Sequence, residues 1–504
     1  MVTDPRHARG ATKAFGRASF SGDDIIERGF CWSTQSDPTI LDQRSTLSYD
    51  NNGKIFVIED LSPQTFYYIR PYAISSSYAV GYGESIKICT LPMGEIAWSY
   101  NNGGSADENA RINDAVADAV DVWNNLTSIR GLRLSVSYGA STQTADCSYG
   151  GSMRVGPNAS YQRTGTIQHE MCHAAGVGTT SRWYDDATYR ENVSKGFWLG
   201  ERTDQILQFL ENDNEAHLKG DNTHFWPYGI NGAHEDDGTR MLYYANALII
   251  QALGEDFLPP VYGAFASPAY TFIQEDNEYY YILPENGATN TPSLLHSNGN
   301  GTELKTSDWK TILNDHAFAW QIQFNPESQL YEFKNILTER ALSNNNAQVQ
   351  LSSKENFGLQ LLGSRKKVEN GTFNLKSYWV TFSDGTDHPN ALTENWGNVS
   401  ATRFDHKNSA SAQRWIILSR REVKALAGDY TELQEEPVSA SSLIVTSAQG
   451  GLNIETTHRG EWITIHDIQG KTIMQFYMQA GLQMFQPLEP GFYIVNGKKG
   501  VALR

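Results

Sequence analysis

His169-Glu170-Met171-Cys172-His173 is the run whose residue types and spacing best suit chemistry. On a helix, positions i and i+4 lie one turn apart on the same face, so both imidazoles reach a single ion. Zinc in a catalytic site takes three protein ligands and one water, and lowers the pKa of that water to about 7. Glu170, between the histidines, then stands where a carboxylate base accepts the water's proton. The bland alternative is a helix that happens to carry two polar residues on one face. Ile167, Met171, Ala174 and Ala175 around the motif are apolar and Gly176 follows, which fits a buried helix stopped by glycine.

The third ligand has to come from elsewhere. Downstream candidates are Asp185, Asp186, His217, His224, His234 and Glu235. His224 is preferred, because Phe225, Trp226, Pro227 and Gly229 make a rigid aromatic turn suited to fixing an imidazole. The competing reading is a packing turn with an ordinary hydrogen-bonded histidine. Tyr228 in the same turn is a candidate donor to the oxyanion of a tetrahedral intermediate, against the default of an exposed turn tyrosine. Met241 lies in a helix-like run and is expected to pack in the core. Cys172 points away from the histidine face and is expected to be buried.

The extended string HEMCHAAGVGT resembles the zincin metallopeptidases, which implies Zn²⁺ as cofactor. Gly176 is similar to the glycine of the metzincin branch, whose third ligand follows three residues later. Here that position is Thr179, a poor zinc ligand. The resemblance therefore covers the motif helix only. Glutamate-ligand zincins take their third ligand from a later helix, which makes Glu235 the second choice and Asp185 or Asp186 the third. RVGPNASYQRTGTIQHEMCHAAGVGT together with THFWPYGIN also resembles secreted, lectin-bearing zinc peptidases of Bacteroidetes.

The elements that must hold these residues follow from periodicity. Ser105 followed by Glu108 is a capping-box start, and Ile112, Val116, Ala119, Trp123 and Leu126 then recur at helical spacing. LRLSVSYG (132–139) and SMRVG (152–156) alternate as strands; TIQHEMCHAAG and TRMLYYANALIIQAL are helices. This order predicts an α+β, zincin-like catalytic domain over 94–258.

Either side is β-rich. Residues 1–92 alternate without a helical period, and RGFCWST, LSPQTFYYIRPYA and GYGESIKICTL resemble fibronectin type III-like β-sandwich modules. Tyr67, Tyr68 and Tyr72 are expected to pack there. Over 266–420, an aromatic or leucine recurs at Trp320, Leu359 and Trp415, spaced as three units. Gln413-Arg414-Trp415 matches the Gln-x-Trp signature of ricin-type β-trefoil lectin domains, in which that tryptophan is structural. Residues 421–440 are acidic and poor in apolar groups, as in a linker. The segment 441–504, with DIQGK, LEPGFYIV and a terminal ALR, resembles the sorting domains of type IX-secreted proteins, a small C-terminal β-sandwich.

Composition bounds the rest. The 504 residues correspond to a few domains at roughly 150 residues each. With Lys+Arg 40 against Asp+Glu 57, the net charge of −17 has the wrong sign for a nucleic-acid partner. No apolar run is long enough for a membrane span. Four cysteines are too few and scattered for a disulfide scaffold or a thiolate zinc site. Met1 to Phe20 carry basic residues but no apolar run, so either the protein stays inside the cell or a signal peptide lies outside this chain; the domain content favours the second, a secreted or cell-surface protein.

The sequence thus predicts a secreted zinc endopeptidase acting on proteins or glycoproteins, with the trefoil holding glycans. Its rival is a glycan-binding adhesin with an inactive zincin-like domain, for which Thr179 is the best support. The same metal–water chemistry also serves carbonyl bonds other than peptides.

Overall fold

The computed structural model describes residues 2–503 except 5, 23, 47–53, 186–188, 193–195, 257, 259–278, 286–290, 300, 346–347, 353–359, 368–377, 384–389, 404–410, 429–442, 450, 457–460, 468–470, 479–482, 490 and 496–497. The expected module boundary between 258 and 266, Leu359, and most of the expected linker lie outside the described residues.

Alternation in the first segment produces two facing sheets. One holds Val2–Thr3, Ala8–Arg9, Ala14–Ser19 and Ile55–Ile58; the other holds Ile25–Ser33, Gln43–Thr46, Phe66–Ser75, Val80–Tyr82 and Ile86–Cys89. Phe30, Trp32, Tyr67, Ile69 and Ile88 from the second sheet meet Ala14, Phe56 and Ile58 from the first. This is a β-sandwich. Tyr72 is buried on the other side with Cys31, while Tyr68 is half-buried.

The central unit begins with a strand that periodicity did not reveal. Glu95–Asn101 pairs in parallel with Arg130–Tyr138, which pairs in parallel with Ser152–Val155; Ala145–Cys147 closes the edge antiparallel. The crossover between the first two strands is helix α1, Ala106–Leu126. The unit therefore opens with a strand–helix–strand crossover, where the sequence order had suggested a leading helix followed by strands. The α1 start is the expected capping box: Glu108 Oε2 accepts the Ser105 N–H at 2.7 Å and Ser105 Oγ accepts the Glu108 N–H at 3.4 Å. Ile112, Val116, Ala119, Trp123 and Leu126 are all buried along one face.

Helices α2 (Thr164–Ala174), α3 (Ser181–Tyr184), α4 (Glu201–Glu211) and α5 (Arg240–Glu255) complete the unit. Trp123 of α1, Met171 of α2, Phe209 of α4 and Leu248 of α5 share one core. That core also takes in Ala8 and Phe15 of the sandwich, so the sandwich and the central unit are not separate globules.

Beyond it, ten of the described strands from Tyr280–Pro284 to Trp415–Ser419 form an antiparallel sheet that closes on itself where Val380 pairs with Trp415, while Ser293–Ser297 and Thr302–Thr306 pair as a separate hairpin. Trp320 and Trp415 are fully buried at matching places. Each follows a short 3₁₀ turn, His316–Phe318 or Ser411–Gln413, and donates its indole N–H to a main-chain carbonyl, Leu295 at 3.1 Å or Leu392 at 2.8 Å. Gln413 reaches Thr402 Oγ1 at 3.0 Å, a structural part for the Gln-x-Trp pair. Two short helices flank the sheet, α6 (Trp309–Asn314) and α7 (Arg420–Leu426). The latter corrects the expected linker start at 421: Ser419 and Glu422 form a capping box and Val423 is buried, enough to fix one short helix. A seven-stranded sheet, Leu443–Gln449 to Lys498–Leu503, ends the chain around Leu452, Ile454, Ile463, Ile465 and Val495. The protein is multidomain and sheet-rich.

Candidate metal centre

Helix α2 is almost wholly buried, and the side chains its sequence sends outward meet a cleft. His169 and His173 stand one turn apart with ring centroids 4.9 Å apart and planes at 89°. His224, from the turn beyond α4, closes the set at 5.2 Å from the first ring and 5.5 Å from the second. Among the described residues these three form the group able to hold a metal ion, with one ligand atom from each lying within 4.8 Å of the others.

Hydrogen bonds fix which nitrogen faces the centre. His169 Nδ1 is 2.8 Å from the Gly229 carbonyl and His173 Nδ1 is 2.8 Å from the Val177 carbonyl. A carbonyl only accepts, so each Nδ1 carries the hydrogen and each Nε2 keeps its lone pair for the cleft. Asp221 holds the third residue: its Oδ1 accepts the Thr223 and His224 N–H groups at 2.7 and 2.6 Å and lies 3.6 Å from His224 Nδ1. Burial first, then the His173 ring, pushes His169 down to about 4; burial lowers His173 as well. Neutral imidazoles are the form a metal requires.

Glu170 is buried against the same cleft, and its Oε2 has no hydrogen-bond partner. Burial, and next the charge of Asp146, raises its carboxyl to about 8. A buried carboxylate oxygen without a partner is costly unless a cation or water answers it. Three nitrogen donors beside it fit a borderline-soft ion such as zinc. The cleft has a volume of about 360 Å³, with Thr144, Cys147, Tyr161, Thr179, Ile230 and Asn231 on its walls.

The remaining candidates stand elsewhere. Thr179 borders the cleft, but its hydroxyl donates to the His173 carbonyl at 2.6 Å and serves the helix end. Glu235 is exposed and accepts the Asn231 N–H at 2.5 Å; Asp185 is an exposed C-cap; Asp186 lies outside the described residues. His217 pairs with Asp204 at 2.8 Å, and His234 is exposed. Tyr228 departs from the role expected of it. Its phenol donates to Glu211 Oε1 at 2.6 Å, and it is not among the cleft's lining residues. The physical reason is its partner: Tyr228 sits in the turn at φ 68°, and Glu211 at the end of α4 holds its phenol. Met241 is half-buried against the core, and Cys172 is buried with its thiol donating to the Gln168 carbonyl at 3.1 Å, burial raising that thiol to about 12.

Sequence reasoning missed Asn231, Tyr161 and the edge strand Ala145–Cys147 as cleft walls. None carries a spacing signal; only the fold brings them together.

No protein-family model matches the sequence, and no curated protein matches it. Among solved structures, the FN1–FN3 segment of chicken CNTN1 is 20% identical over 18% of this chain and 32% of its own, with a TM-score of 0.16. This chain thus spans about a third of that one. The sixth fibronectin type III domain of the human fibronectin type III domain containing protein 3 is 23% identical over 21% of this chain and 92% of its own, TM-score 0.14. The cytolethal distending toxin of Actinobacillus actinomycetemcomitans is 11% identical over 28% of this chain and 92% of its own, TM-score 0.21. Likenesses at these scores carry no statement about activity.

Proposed function

We propose that the protein is a secreted zinc-dependent endopeptidase in which His169, His173 and His224 hold the metal and Glu170 is the general base. The convergence of one ring nitrogen from each of three histidines beside a buried, unpartnered carboxylate oxygen carries this reading. Bound zinc supplies Lewis-acid polarisation of a carbonyl and an acidic water. Glu170 accepts one proton from the attacking water as its oxygen bonds to the scissile carbon. It then passes that proton to the departing amide nitrogen as the C–N bond breaks, so the carboxylate is regenerated. Burial of Glu170 lowers the dielectric around it, which strengthens its hydrogen bonds in these transfers.

The Trp320 and Trp415 units support a trefoil lectin-like region, and the aromatic-rich β modules suit attachment to glycans. Tethering of this kind would direct the enzyme to glycoproteins by raising local concentration. Export through a type IX-like C-terminal signal is part of the same proposal.

The test compares zinc content and cleavage of casein and mucin in the wild type and Glu170→Gln. Retained zinc with cleavage lowered on the order of 10²–10⁴-fold in the variant is the expected outcome. Stoichiometric zinc without cleavage in either protein would instead favour an adhesin with an inert site, and peptide-silent hydrolysis of other carbonyl substrates would redirect the substrate class.

A further inference from the structure

The chain from Asp221 to Asp236 lies along the motif helix in the opposite direction and touches it three times. Past the helix end, Gly178 at φ +71° approaches so closely that a Cβ there would sit 2.3 Å from the Thr223 carbonyl oxygen. Midway, His169 Nδ1 meets the Gly229 carbonyl at 2.8 Å. At the helix start, Asp236 receives the Gly165 N–H on Oδ2 at 3.2 Å.

The last anchor differs in kind from the others. Helix α2 has Arg163 at its N-cap and no side-chain cap of its own. Asp236 substitutes for one from another element: Oδ2 also takes the Arg163 Nε–H at 2.7 Å, and its main-chain carbonyl takes the Arg163 guanidinium at 2.5 Å. Its Oδ1 takes the Tyr243 hydroxyl at 2.8 Å and the Gly238 N–H at 3.0 Å. The Asp236 side chain is fully buried. Gly165 leaves it room, since a Cβ there would lie 2.5 Å from Oδ2. A carboxylate at a helix N-terminus is favoured by the dipole as well as by its bonds.

From this geometry we infer that Asp236 is a positioning residue of the metal centre: it locks the strap that carries His224 to the start of the helix that carries His169 and His173. The inference rests on the reading of the three histidines as a metal site. One carboxylate ties α2 through Gly165 and Arg163, and α5 through Tyr243, to the strap's end. Without it, the strap keeps only the anchors nearer His224, and the distance from His224 to the helix is no longer held from both sides. Ligands held loosely lose affinity because ordering them is then charged to metal binding.

The experiment measures zinc affinity by chelator competition, and the visible spectrum of the cobalt(II)-loaded protein, for the wild type, Asp236→Asn and Asp256→Asn. Asp256 buttresses the start of α4 and matches Asp236 as a buried cap away from the cleft. Asp236→Asn is expected to weaken zinc binding on the order of 10–100-fold and to alter the cobalt spectrum. Asp256→Asn is expected to lower thermal stability with affinity and spectrum unchanged. Should Asp236→Asn fail to fold, Tyr243→Phe, which removes a single donor, is expected to give a smaller loss in the same direction. Wild-type affinity in the folded Asp236 or Tyr243 variant, or an equal loss in Asp256→Asn, overturns the inference. A wild-type protein that binds no zinc overturns the metal-site reading itself and this inference with it.

Discussion

At the scale of the residue, two imidazoles and a carboxylate owe their character to burial and to what their other atoms touch. Carbonyl acceptors at Gly229 and Val177 orient His169 and His173, and exclusion of water keeps them neutral. His224→Ala is expected to weaken zinc binding by at least tenfold, read by chelator competition, because a two-histidine site leaves the ion short of a ligand. Tyr228→Phe removes a bond to Glu211 and is expected to leave peptide cleavage unchanged; a large loss of kcat would return Tyr228 to the catalytic set. In the metal-free protein, Glu170 titrates near 8 when folded against 4.5 as a free carboxyl, so between those values the folded state holds a proton that the unfolded state has released. Stability from this group is therefore lost as pH rises through that window. Metal-free Glu170→Gln is expected to gain thermal stability relative to wild type, and by more at pH 8 than at pH 5.

At the scale of the element, the motif helix and its two histidines were legible because spacing on a helix is a local property. The α1 start was legible for the same reason: its capping box is written within four adjacent positions. What stayed hidden was supplied from a distance. Helix α4 begins at Gly200, which offers no cap; Asp256, beyond α5, accepts the Arg202 and Thr203 N–H groups at 3.0 and 2.8 Å. No start signal stands beside ERTDQILQFLE, so periodicity alone did not mark it. His224 was legible only as a preference, since the turn that brings it to α2 depends on close approaches at Gly178 and Gly229 that no spacing shows. Asp256→Asn, which leaves buried donors poorly answered, is expected to cost about 1–3 kcal/mol, measured by denaturant unfolding.

At the scale of the whole molecule, the N-terminal sandwich is built into the central unit rather than strung beside it. Arg17 of the sandwich donates to the Phe209 and Leu210 carbonyls at 2.8 and 2.7 Å, closing the C-terminal end of α4. Arg9, buried beneath, donates to the Cys89 carbonyl at 2.6 Å and to Gln329 Oε1 at 2.8 Å, joining the sandwich to the closed sheet that follows the central unit. Removal of residues 1–92 is accordingly expected to lower the unfolding temperature of what remains, not merely to delete an appendage. Arg17→Ala, leaving two terminal carbonyls unanswered, should act in the same direction by a smaller amount. The proposed shared metal is open to X-ray absorption at the zinc edge of the purified, zinc-loaded protein: one zinc per chain with imidazole nitrogens at about 2.0–2.1 Å is expected. Absence of bound zinc after dialysis, or a sulfur shell at about 2.3 Å in place of the imidazoles, would contradict it.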